Sequence, residues 1–155
     1  MGPMDFEKPS FMSHALDAAG AALQRGEVPV GAVVVHHPTG RIVGRAGNQT
    51  VGRNDPSGHA EILALRQAGM ALGSYRLTEC DLYVTLEPCA MCAGAISHAR
   101  IRRLYYGAAD EKGGAVENGV RFFGHPTCHH APEVYPGIDE ARAADLLRRF
   151  FQKKR

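Results

Sequence analysis

Two short stretches, His59-Ala60-Glu61 and Pro88-Cys89-Ala90-Met91-Cys92, constrain the fold of this chain more than any other feature. They offer three side chains suited to zinc, His59, Cys89 and Cys92, and one carboxylate, Glu61, left over. Structural zinc is closed by four protein ligands, whereas hydrolytic zinc keeps one position for water. A count of three predicts a catalytic centre, so the fold has to carry two separated segments to one point.

Local sequence indicates how. Pro88 suits the first position of a helix, where its fixed φ and missing N–H carry no penalty. Cys89 and Cys92, three apart, then share one face of the first turn. The positive end of that helix, with the metal, favours the thiolate that zinc requires. Turn-rich Asn54-Asp55-Pro56-Ser57-Gly58 precedes His59-Ala60-Glu61-Ile62-Leu63-Ala64-Leu65-Arg66, whose apolar residues recur at helical spacing. The histidine therefore also sits at a helix start. Glu61, two positions on, is placed to reach a water at the metal without sharing the histidine's coordination direction. Zinc lowers the pKa of bound water from about 15.7 to roughly 7, and a carboxylate beside it can relay a proton to a leaving group. Attack on an amidine-like ring carbon with loss of ammonia needs such a shuttle.

A lone C-x-x-C is often a structural knuckle or a redox pair, and a lone H-x-E means little. Their ordered combination is the recognised signature of zinc-dependent nucleobase deaminases. The 155 residues suit one domain, read here as 5–155, long enough to bury a sizeable core. Met1-Gly2-Pro3-Met4 reads as a cloning remnant and is set aside. No apolar run approaches the roughly eighteen residues of a membrane helix, and the start lacks a secretory pattern, so a cytoplasmic protein free of membranes is expected. Cys80 opens an apolar run and reads as a buried free thiol in a reducing compartment.

A net charge of +2 is too mild to establish nucleic-acid binding. Its distribution says more. The stretch from Leu146 to Arg155 gathers five cations and two aromatics with no acid, the mixture that contacts phosphates and stacks bases. Arg148, Arg149, Phe150 and Lys153 are the candidate RNA contacts; the competing reading is a solvated helix end whose cations suit the dipole.

Along the chain, Ser10 caps a helix running to about Arg25 and stopped by Gly26, with Phe11, Ala15, Ala18, Ala19, Ala22 and Leu23 as its apolar face. Val28 to Val35 reads as a strand, Pro38-Thr39-Gly40 as a turn, and Arg41 to Arg45 as the returning strand. Asp81 to Leu86 and Ile101 to Tyr106 are strands on either side of the Cys89 helix, which implies a parallel crossover with both sheet faces covered. Residues 107–132 form a long loop of the kind that usually carries function, and a last helix runs from Asp139 to about Phe151. The layout is an α/β/α sandwich around a mixed sheet, with the metal held between two helix starts.

The chain resembles the bacterial tRNA-specific adenosine deaminases of the cytidine deaminase-like superfamily. The residues that carry the resemblance are 25–32, 55–62, Tyr75-Arg76-Leu77 and 82–95, spread over nearly the whole chain. It implies a three-layer α/β/α sandwich with a mixed five-stranded sheet, one Zn2+ per subunit, a homodimer, and conversion of adenosine to inosine at the wobble position of a tRNA anticodon. By the same resemblance, His59, Cys89 and Cys92 bind zinc, Glu61 is the proton shuttle, Asn48 contacts the base, and Asp110 lies in the loop beside the site. An unpaired loop adenosine is the least costly to splay from its stack. The chain departs from the family pattern at His129, and residues 113–123 differ from the best-known enterobacterial form. Taken alone, Ala46-Gly47-Asn48-Gln49 reads as a turn and Asp110 as an ordinary loop carboxylate. Cys128, His129 and His130 would be a second metal set only if adjacent side chains converged, which an extended segment prevents. The alternative function is deamination of a free base such as guanine or cytosine.

Overall fold

The computed structural model describes residues 10–153. Met1 to Met4, the domain start at residue 5, and the terminal cations Lys154 and Arg155 lie outside the described residues. The elements run α1 (Phe11–Gln24), β1 (Gly31–His36), β2 (Arg41–Gly47), α2 (Ala60–Leu72), β3 (Cys80–Leu86), α3 (Ala90–Ala99), β4 (Arg103–Ala108), a short 3-10 turn (Phe122–Gly124), β5 (Glu133–Tyr135) and α4 (Glu140–Lys153). The sheet order is β2-β1-β3-β4-β5. β1 is antiparallel to both β2 and β3, while β3, β4 and β5 are parallel, so the sheet is mixed.

Side chains alternate across a strand, and here each face meets its own helix pair. Val33, Val35, Tyr83 and Tyr105 pack with Met12, Ala15, Leu16 and Ala143 of α1 and α4. Ala32, Val34, Leu82, Val84, Leu104 and Tyr106 pack with Leu63, Ala64, Ala68 and Ile96 of α2 and α3. Apolar residues on both faces explain why β1 and β3 read as near-continuous hydrophobic runs. Two glycines let the helices lie this close. A Cβ on Gly31 would overlap the Ala15 carbonyl oxygen, and one on Gly44 the Ala64 carbonyl oxygen.

Several sequence-based boundaries move. Ser10 does cap α1, its hydroxyl accepting from the Ser13 N–H, and Gly26 leaves the helix at φ 81. Val28-Pro29-Val30 is not strand, because Pro29 has no N–H to give the ladder and the Val30 N–H folds back to the Val28 carbonyl. The strand after it begins at Gly31, and its partner extends two residues further, to Gly47. Ile101 and Arg102 precede β4: the Ile101 N–H closes the end of α3 on the Ile96 carbonyl, and the ladder starts at Arg103. Asp139 is left-handed at φ 54, so α4 starts one residue later. No helix among the described residues is long and apolar enough to cross a membrane.

Candidate active site

Both predicted helix starts are realised, with the ligands one step earlier than expected. His59 is the N-cap of α2 and Cys89 the N-cap of α3, each with extended backbone and neither spending its side chain on a capping hydrogen bond. Pro88 therefore precedes the cap instead of opening the helix, and only Cys92 lies in the first turn. This leaves all three side chains free to converge. His59 Nδ1 lies 3.6 Å from Cys89 Sγ and 3.5 Å from Cys92 Sγ. With zinc–sulfur and zinc–nitrogen bonds of about 2.3 and 2.0–2.1 Å at tetrahedral angles, the expected nitrogen–sulfur separation is about 3.6 Å. The donor set thus fits zinc in both chemistry and spacing. Among the described residues it is the one group of three His, Cys, Asp or Glu side chains close enough to hold a metal.

The environment is graded. Hydrogen bonding from Cys92 and then His59 holds the Cys89 thiol down at about 4. Its partner goes the other way: sharing with Cys89, then burial, pushes the Cys92 thiol far above its ordinary range. The hydrogen bond to Cys89 raises the His59 imidazole. Glu61 is 4% exposed, and burial pushes its carboxyl up to about 7, with a backbone hydrogen bond and His59 pulling against it. A cation at the cluster would draw it down again. A carboxyl tuned this way, beside the ligands, can accept and release a proton near neutral pH.

A cavity of about 330 Å³ opens on His59, Cys89 and Glu61, and Asn48 and Asp110 line it with them. Asn48, buried at the end of β2, is more than the turn residue that sequence alone suggests: its Oδ1 accepts from the Ala60 N–H at 2.8 Å and so caps α2 from outside. The Asp110 carboxylate accepts from the N–H of Lys112 and Gly113, which turns its loop along the cavity rim.

Two buried carboxylates that sequence reasoning missed fix the walls. Glu27 accepts from the Thr50 hydroxyl and the Val51 and Gly52 N–H groups, holding the segment after Asn48. Glu87 does the same for the loop after β4. Neither carries a local signal, because the donors are remote in sequence and mostly backbone groups; the only hint is Glu87 inside an otherwise apolar run ending at Pro88-Cys89.

The remaining candidates lie elsewhere. The Cys128 thiol donates to the His130 carbonyl and His130 Nε2 donates to the Ile101 carbonyl, so these side chains tie the 128–130 segment to the end of α3 and form no second metal set. Arg148 and Arg149 are exposed on α4, at 3.5 and 3.1 Å from the Asp145 carboxylate, an acid just upstream of the basic stretch. Phe150 is corrected as a stacking residue: it is buried, edge-on to Phe151, and the exposed ring is that of Phe151. Lys153 is exposed at the last described turn. Cys80 is fully buried, and burial pushes its thiol from 9.0 up to about 11. The folded protein should therefore resist alkylation at Cys80 at neutral pH. Since the raised value belongs to the folded state, stability should be complete below pH 9 and fall as the pH rises through about 11, which a series of urea melts would measure.

Residues 7–108 match the family described as the cytidine and deoxycytidylate deaminase zinc-binding region. The chain is 60% identical over 149 residues to a tRNA-specific adenosine deaminase of Agrobacterium fabrum, covering 96% of this chain and 97% of the relative. At a TM-score of 0.86 and 60% identity, over 88% of this chain and 98% of the other, it is similar to a structure from work on A-to-I editing by tRNA deaminases at the wobble position of transfer RNA. A Bacillus subtilis guanine deaminase is similar at a TM-score of 0.60 and 37% identity, over 70% of this chain and 66% of the other.

Proposed function

Because the chain belongs to the zinc-binding cytidine and deoxycytidylate deaminase family, alongside the tRNA-specific adenosine deaminases, we propose that it hydrolyses adenosine to inosine at the wobble position of a tRNA anticodon. The observation that carries this reading is the convergence of His59, Cys89 and Cys92 beside a buried, unligated Glu61 at the floor of an open cavity. Residues 5–155 act as one zinc deaminase domain. In it His59, Cys89 and Cys92 hold Zn2+, which when bound supplies a water acidic enough to attack near neutral pH. Glu61 takes a proton from the attacking water at its carboxylate and passes it to the leaving amine, so that adenosine and water become inosine and ammonia. Asn48 holds α2 with its Oδ1 and offers its amide N–H to the base. Asp110 borders the cavity on the loop side.

The anticodon loop suits an open cavity, since its bases are already unpaired. Arg148, Arg149 and Lys153 supply phosphate contacts, and the exposed pairs of the two arginines with Asp145 are weak enough to be exchanged for RNA. Because Phe150 is buried, truncating the tail would disturb packing as well as charge. Point replacement is the cleaner test: with Arg148, Arg149 and Lys153 all changed to alanine, the salt slope of RNA binding should fall by about three phosphate contacts while Zn2+ content stays at one per chain. An unchanged slope would remove these residues from the RNA surface.

A second copy of the chain is assigned to the face between α2 and α3. An apolar groove lined by Ile62, Leu65, Tyr75, Leu77 and Ala95 opens there, and Tyr75 on its wall is 75% exposed. An exposed apolar patch around a groove is the mark of an interface, and sedimentation should give a dimer that Tyr75→Glu weakens. Four unpaired cysteines suit the reducing cytoplasm, where the tRNA substrate resides.

The test of the central reading is an anticodon stem-loop with wobble adenosine, incubated with the zinc-loaded protein and digested to nucleosides. Inosine at that position is expected. Absence of inosine, with free guanine losing ammonia instead, would favour the free-base alternative that the guanine deaminase likeness keeps in view.

A further inference from the structure

Resting on that reading, we propose that Glu87 is a positioning residue for the reaction: its carboxylate binds the 110–118 loop to the segment that carries Cys89, and so sets the width of the substrate cavity. Glu87 is 2% exposed and lies two residues before the metal ligand Cys89. Its Oε1 accepts from the Asp110 N–H at 2.9 Å and from Asn118 Nδ2 at 2.7 Å. Its Oε2 accepts from three successive backbone N–H groups, those of Val116, Glu117 and Asn118, at 3.1, 2.9 and 3.0 Å. One side chain thus gathers five donors, all from the loop that lines the cavity with Asp110 and Gly113.

The loop is fitted to this carboxylate from its own side too. A Cβ on Gly114 would sit against the Glu87 carboxyl carbon and 2.7 Å from its Oε1, so only glycine lets the backbone pass. The Ala115 N–H donates to the Pro88 carbonyl, a second tie to the residue before Cys89.

Both oxygens face donors, and that makes the charge state matter as much as the size. In Glu87→Gln the amide N–H group must face donors at whichever oxygen it replaces, two on one side or three on the other, and buried donors are left without a partner. Glu87→Asp keeps the acceptors but draws them back by one methylene. The reacting groups on α2 and α3 are untouched by either change. A loss confined to substrate positioning raises KM while kcat stays.

The experiment compares wild type, Glu87→Gln, Glu87→Asp and Asn118→Ala by zinc content, hydrogen exchange of residues 110–118, and stem-loop kinetics. For Glu87→Gln the expectation is one Zn2+ per chain, exchange at Val116, Glu117 and Asn118 faster by about tenfold or more, and a KM raised by about tenfold with kcat within about threefold of wild type. Glu87→Asp should recover part of the KM. Asn118→Ala removes one of the five donors and should raise KM severalfold, which keeps the test alive if Glu87→Gln does not fold. Loss of zinc with loss of activity, or an unchanged KM in Asn118→Ala and Glu87→Asp, would overturn the positioning role. If wild type itself makes no inosine, the functional reading fails separately. The exchange and zinc measurements then decide for Glu87: faster loop exchange with zinc retained supports it, and unchanged exchange refutes it.

Discussion

Replacing Glu61 by alanine is expected to abolish inosine formation, by about 10²- to 10⁴-fold, while leaving one Zn2+ per chain and the fold in place. The separation of these effects follows from the geometry. The metal set is complete in His59, Cys89 and Cys92, with Glu61 outside it. Yet Glu61 sits on the first turn of α2, two residues past the histidine, fully inside the protein and raised toward neutrality by burial. Burying a carboxyl costs stability unless hydrogen bonds or a charge partner repay it, and burial outweighs those at Glu61. The alanine variant should therefore melt no lower than wild type, and Glu61→Gln, which keeps the shape, should be equally inactive. Zinc content and inosine yield measured on the same preparation check this; turnover within tenfold of wild type in either variant would refute the shuttle role.

Removing the metal should have the second largest effect. A chelator is expected to stop turnover completely and to lower the melting temperature by about 10 °C. Free zinc at a thousand times its dissociation constant adds about 4 kcal/mol, and each kcal/mol is worth about 2–4 °C for a chain of this length. The pH dependence has a definite sign. The Cys92 thiol is held protonated well above neutrality, so binding must displace its proton. Affinity should fall as pH falls, roughly tenfold per unit for each proton displaced. Competition titrations with a zinc indicator at pH 6, 7 and 8 measure the slope; a flat profile would mean that the ligands are already deprotonated without metal.

The metal site was legible because its information is local: His59-Ala60-Glu61 and Pro88 to Cys92 each place a ligand at a helix start whatever the rest of the chain does. The core strands were legible for the same reason, β1 and β3 being too apolar for anything but a covered sheet. Failures came where a tertiary partner decides. Pro29 is itself the local sign that the strand begins only at Gly31, whereas β5, three residues at the sheet edge, is too short to show a period. The Leu146–Arg155 stretch looked uniformly basic because Asp145 lies one position outside it, and burial of Phe150 depends on how α4 lies on the sheet. Glu27 and Glu87 are the clearest case: a carboxylate that satisfies backbone groups far along the chain leaves no pattern in sequence.

Asn48 has one further consequence. Because its carbonyl oxygen is committed to the Ala60 N–H, the orientation of its amide is fixed by the helix it caps. On the proposed role of Asn48 as a base contact, the group left to meet the substrate is therefore its amide N–H, a hydrogen-bond donor that an acceptor such as a ring nitrogen can meet and another donor cannot. Aspartate would cap α2 as well, but it would turn a second acceptor toward the cavity and reverse what is admitted. Helix capping and chemical selectivity are, at this residue, two ends of the same amide.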